Sequence, residues 1–90
     1  MNRTIITVVG KDTVGIIAHV CSYLAEKNIN ILDISQTIVS GFFNMMMIVD
    51  MGGMNVSFDM ASTELAEVGK KLGVQIKCQR EEIFDKMHRI

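Results

Sequence analysis

Two segments of this chain are apolar on both faces when read as extended backbone, and they constrain its fold more than any other feature. Thr4-Ile5-Ile6-Thr7-Val8-Val9 is a β-branched run, and the stretch Phe42 to Met51 contains Met45-Met46-Met47-Ile48-Val49 with no polar interruption. Successive side chains of a strand point to opposite faces, so a strand apolar on both belongs in the interior of a sheet. Two such strands require flanking strands and a helical layer. The rest of the sequence supplies both.

After the first strand comes Gly10-Lys11-Asp12-Thr13-Val14-Gly15-Ile16-Ile17, and then helical periodicity. Asp12 or Thr13 is the expected N-cap, because either side-chain oxygen can accept an early helical N–H. The helix is expected to run to about Lys27. Ile17, Val20, Cys21 and Leu24 recur at i, i+3, i+4 and i+7 and predict its buried stripe, with His19, Ser22 and Glu26 off it. Asn28 can end the helix in a left-handed conformation. Asn30 to Val39 reads as strand two, with Leu32, Ile34 and Ile38 on a dry face and Asp33, Ser35 and Thr37 on a wet one. Ser40-Gly41 is a hairpin signal leading into the methionine-rich strand three.

Gly52-Gly53 then breaks the chain. Ser57 is a candidate N-cap for a second helix whose stripe is Phe58, Ala61, Leu65, Val68 and Leu72, and Gly73 stands where a C-terminal glycine belongs. Strand four, Val74 to Gln79, alternates strictly, with Val74, Ile76 and Cys78 inward. The order β-α-β-β-α-β is that of the ferredoxin-like α+β fold, a four-stranded antiparallel sheet with both helices on one face and strands one and three central. Helices on one face leave the other needing cover. The tail, residues 81–90, carries Ile83, Phe84, Met87 and Ile90 at helical spacing, with acidic residues at its start and basic ones at its end. It is expected to form a short amphipathic helix that docks on the open sheet face or on a second subunit. Residues 1–80 make the domain.

Ninety residues allow one core. With 49% hydrophobic and 21% charged residues the chain is an ordinary globular one, and a net charge of −1 gives no basic footprint for nucleic acid and no polybasic membrane anchor. The apolar run after Arg3 is too short for a signal peptide or a membrane span. Cys21 and Cys78 match no metal or redox spacing, and free thiols in a cytoplasmic protein are the expectation.

The chemistry-bearing feature is the strand–loop–helix corner. Free N–H groups at a helix N-terminus attract carboxylates and phosphates. Gly15 costs about 1 kcal/mol of helix propensity relative to alanine. Its presence means close approach either of a ligand or of neighbouring backbone. Other constellations yield little. Adjacent methionines at 45, 46 and 47 alternate faces and cannot converge on one metal ion; they read as adaptable core packing. His19 and Cys21 lie on different sides of a helix and share no metal, although His19, one turn beyond Gly15, can reach the corner. No cofactor is implied, and no nucleophile–base pair is suggested by spacing.

Quoted together, Gly-Lys-Asp-Thr-Val-Gly-Ile-Ile after a buried strand, a helix ending Leu24-Ala25-Glu26-Lys27-Asn28, and Ile29-Asn30-Ile31 resemble the ACT domain over Thr4 to Arg80. The tail is similar to that of short bacterial proteins made of one such domain, and the chain is similar in part to the ACT-containing regulator of the glycine cleavage system. The resemblance implies a non-enzymatic regulatory module, a homodimer, that binds an amino acid or similar small ligand at a subunit interface and acts on a client enzyme or regulator. It implies one wall of the site from Asp12, Thr13, Val14, Gly15 and Ile16, and the other from Asn30 and Ile31, which a neighbouring subunit can contribute. An asparagine amide both donates and accepts, which suits a zwitterion. One departure stands out: many family members have proline before the loop glycine where this chain has Val14, so its loop is less preorganised. Two alternatives remain, a ligand-free protein–protein interaction module and an acylphosphatase-like hydrolase of the same fold. The latter keeps Asn44 on strand three but lacks the loop arginine.

Overall fold

The computed structural model describes residues 3–81. Beyond Glu81, the expected helical tail lies outside the described residues. The elements are β1 (Arg3–Lys11), α1 (Ile16–Glu26), β2 (Asn30–Val39), β3 (Phe42–Asp50), α2 (Phe58–Leu72) and β4 (Val74–Arg80). They form one four-stranded antiparallel sheet in the order β2-β3-β1-β4, the ferredoxin-like arrangement, with the two doubly apolar strands in the middle. Among the described residues no helix is long and apolar enough to cross a membrane.

The register explains how β1 and β3 share one face. Ile6 pairs with Met47 and Val8 with Met45, and all four are buried with Val20 and Leu24 of α1 and Ala61 and Leu65 of α2. Met45 and Met47 point into this core while Met46 points out, the alternation expected of adjacent strand residues. Ser40 and Gly41 have φ of 51° and 79°. Both central residues are left-handed, which is the two-residue hairpin turn whose twist matches the strands.

Helix α2 starts and stops as its sequence indicates. The Ser57 side chain accepts a hydrogen bond from the Met60 N–H at 3.1 Å, and Gly73 ends the helix at φ 76°. Inside the helix, Gly69 is buried against β4. A Cβ there would lie 2.7 Å from the Val74 carbonyl oxygen, and one on Gly10 would lie 2.8 Å from Val74 Cα. The two glycines let helix, β1 and the start of β4 close around one residue.

Three local expectations are corrected. Neither Asp12 nor Thr13 caps α1: the N-cap is Gly15, at φ 94°, with no side-chain cap bond. The left-handed turn at Gly15 sends Ile16 into the core, so the buried stripe is Ile16, Val20 and Leu24. Ile17 faces outward and Cys21 is half-buried. Strand β2 has the expected limits but no dry face. It is the sheet edge, interrupted by a bulge between Ile31 and Asp33, and Leu32, Ile34 and Ile38 are all exposed. At the other end of α1, Asn28 adopts φ 60° as anticipated, and its side-chain amide donates to the Gly53 carbonyl at 2.8 Å.

Candidate functional site

The corner between β1 and α1 is built from backbone first. At the end of β1, the Asp12 N–H donates to the Gly41 carbonyl at 2.9 Å, tying the loop to the β2–β3 hairpin. The Thr13 hydroxyl donates to the Lys11 carbonyl at 3.2 Å, which leaves its own oxygen free to accept. Helix α1 then begins with no side-chain cap and no acidic residue in its first turn. Its first N–H groups therefore keep their partial positive charge. Val14, at the loop tip, is 98% exposed.

His19 secures the corner from within the helix. Its backbone N–H donates to the Gly15 carbonyl at 2.9 Å, and its ring Nδ1 stands 2.7 Å from the same oxygen. A carbonyl only accepts, so Nδ1 carries the proton, and in the neutral ring Nε2 is an acceptor. A Cβ added at Gly15 would come within 3.2 Å of Nδ1. Gly15 is therefore fixed by conformation and by space alike.

Between this corner and the far end of β2 lies a groove of about 430 Å³. Asp12, Thr13, Gly15 and Ile16 form one side, and Gln36, Ile38 and Phe43 form the other. Ile17 and Ala18 complete it. The lining mixes the polar side chains of Asp12, Thr13 and Gln36 with apolar ones, of which Phe43 is buried and Ile38 exposed. A few polar groups among apolar ones is the usual composition of a small-ligand site.

Of the seven expected residues, Asp12, Thr13, Gly15 and Ile16 meet in the groove, and Val14 stands beside it pointing to solvent. Asn30 and Ile31 do not join them within one chain. They begin β2 opposite Asp50 and Val49, at the end of the sheet where β1 starts, whereas the corner adjoins Val39, Phe42 and Lys11. Gln36, Ile38 and Phe43 were not anticipated. Periodicity assigned Ile38 and Phe43 to strands, and only the hairpin folding back beside Asp12 brings them to the corner. Asn44 pairs with Val9 on the opposite face of the sheet, away from the groove, so the loop and strand residues of the hydrolase reading are not assembled.

Outside the groove, two ionisable groups are shifted. The Tyr23 hydroxyl donates to Glu64 Oε1 at 2.6 Å, clasping α1 to α2, and burial together with that carboxylate raises its pKa. Burial pushes the Cys78 thiol up to about 11, against a smaller lowering by the Ser62 hydrogen bond. Both are held protonated at neutral pH and read as structural groups.

Fold and corner together define a ferredoxin-like module with a groove at its first strand–helix junction. The chain belongs to the ACT domain family, whose model matches residues 2–79. A UPF0237 protein of Bifidobacterium longum is 61% identical over 90 residues, covering 100% of both chains. An ACT domain protein from Streptococcus pneumoniae of known structure is 40% identical and superposes with a TM-score of 0.81 over 93% of this chain and 94% of that one. A structure described as a glycine cleavage system transcriptional repressor has the same fold, with a TM-score of 0.77 at 23% identity over 88% of this chain and 45% of that one.

Proposed function

We propose that this chain is a non-enzymatic regulatory module of the cytoplasm that binds an amino acid, or a similar small zwitterion, in the β1–α1 groove, and that a second copy completes the site. The observation that carries this reading is an uncapped helix N-terminus facing an apolar pocket beside an unpaired edge strand. A ligand carboxylate satisfies the free N–H groups of α1, its ammonium group meets Asp12, and its side chain lies against Ile38 and Phe43.

The second copy follows from the open edge of the sheet. β2 is a ten-residue edge strand that exposes Ile34, Ile38 and Val39. Such an edge invites pairing with another chain. An antiparallel β2–β2 pair related by a two-fold axis runs the start of the second copy's strand alongside the end of the first, which brings Asn30 and Ile31 of the second copy towards Ile38 and Val39. The two expected walls then meet although one chain keeps them apart. Ligand bound across the seam favours the paired state, and the paired state is what a client enzyme or regulator would sense.

A thermal-shift screen of the full chain against the twenty amino acids and purine and folate metabolites tests the proposal. At least one compound should raise the melting temperature; Gly15→Leu should abolish that shift and Asn30→Ala should weaken it. No shift with any compound would instead support the ligand-free interaction module.

A further inference from the structure

We propose that residues 82–90 dock across the open face of the sheet in the same chain, over Ile5 and Ile48. The two helices occupy one face only, and no described helix or strand crosses the other. On that open face β1 presents Ile5 and Val9, and β3 presents Phe42, Met46 and Ile48. Their exposure is uneven. Val9, Phe42 and Met46 are 45%, 56% and 41% exposed, whereas Ile48 is half-buried and Ile5 is only 6% exposed. Ile5 is nevertheless no part of the core between sheet and helices. It is buried within a single chain, at one end of the open face.

That end is where the chain leaves β4. Arg80 pairs with Thr4, and its guanidinium lies 4.6 Å over the Phe58 ring, which anchors it on the helix side. Glu81, the next residue, forms an ion pair with Arg3 at 2.6 Å. Arg3 lies in the same alternating row of β1 as Ile5 and Val9. The exit point is thus pinned at the edge of the covered region. The sequence that follows, Glu82-Ile83-Phe84-Asp85-Lys86-Met87-His88-Arg89-Ile90, has Ile83, Phe84, Met87 and Ile90 at i, i+1, i+4 and i+7, one apolar helical face. As a helix it is about 13 Å long. Crossing from β4 over β1 to β3 takes two strand spacings, about 10 Å. The segment therefore reaches Ile5 and Ile48 but cannot also cover Val9, Phe42 and Met46, which matches the gradient of exposure.

Nuclear Overhauser contacts in the full chain, with isoleucine δ1 methyls and phenylalanine rings observed, test the docking. The Phe84 ring should contact the Ile5 and Ile48 methyls at every protein concentration, and these contacts should vanish from a sample of mixed labelled and unlabelled chains filtered for intermolecular transfer. Phe84→Asp should shift the Ile5 and Ile48 methyls, leave the Ile6 and Ile76 methyls in place, and increase binding of an apolar-surface dye. Asp85→Asn, on the polar side, should change none of these. If Phe84→Asp does not fold, the contacts in the unmutated chain decide. Absence of Phe84 contacts with either methyl would overturn the proposal. So would contacts found only between chains, which would give this face to a second copy.

Discussion

At the scale of single residues, the glycines of this chain divide into those that turn it and those that let it close. Gly15 and Gly73 turn it; Gly73 was visible in the sequence because it stands where periodicity changes, whereas Gly15 reads there as a residue of the first helical turn. Gly69 belongs to the second kind and was not visible, since a glycine inside a helical stripe says nothing of which backbone approaches it. Gly69→Ala should raise helix propensity by about 1 kcal/mol yet destabilise the fold, because the new methyl meets the Val74 carbonyl at 2.7 Å and overpacking of this kind costs about 1–3 kcal/mol. Urea unfolding should show a net loss; a gain would mean β4 yields without penalty. Cys78 offers a second residue-level outcome. Its thiol is raised to about 11 in the fold, while a free thiol titrates at about 8.5. Between these values the unfolded chain has released its proton and the native chain has not. Stability should therefore be unaffected by this group at neutral pH and fall as pH climbs through that window. Urea midpoints from pH 8 to 11 should decline less steeply in Cys78→Ala than in the unmutated chain, and equal slopes would count against the shift.

At the scale of elements, caps and turns were legible because their chemistry is local. Ser57 needs only its own side chain and the next turn to bond Met60, and Ser40-Gly41 needs only two left-handed residues. Ser57→Ala should accordingly cost about 1 kcal/mol of stability, measurable by chemical denaturation, with Ser57→Asp restoring most of it. A Ser57→Ala protein of undiminished stability would show that α2 draws its start from packing alone. The start of α1 misled for the converse reason. Asp12 and Thr13 are good capping residues by type, but the left-handed turn at Gly15 starts the helix at Ile16, beyond both, and no side chain accepts from its first turn. Once the cap moved to Gly15, the stripe moved with it, from Ile17 to Ile16. The wet character of β2 was hidden too, since alternation in a sequence cannot say which strand lies at the sheet edge. Gln36, Ile38 and Phe43 joined the groove through the hairpin's return to the Asp12 loop, a non-local contact with no signature in the residues themselves.

At the scale of the whole molecule, β2 is one of two strands left without a neighbour on one side, and the proposed assembly rests on it. Ile34→Lys places a charge at the centre of the β2–β2 seam and should convert a dimer into a monomer by light scattering while leaving the circular dichroism spectrum unchanged, since Ile34 is exposed in one chain. A dimer of undiminished mass would move the interface elsewhere. The geometry of this strand has one more consequence. Asn30 opens it and Ile38 stands near its close, and ten residues of strand span about 30 Å. No molecule the size of an amino acid bridges that distance, so under the proposed assembly a lone subunit holds two half-sites, and a symmetric pair makes two whole ones. Occupancy then follows mass action in protein as well as in ligand: dilution weakens apparent affinity, and saturating ligand draws subunits together. A module built this way responds to the product of two concentrations, its metabolite's and its own, and the cell can set its threshold by how much of the protein it makes.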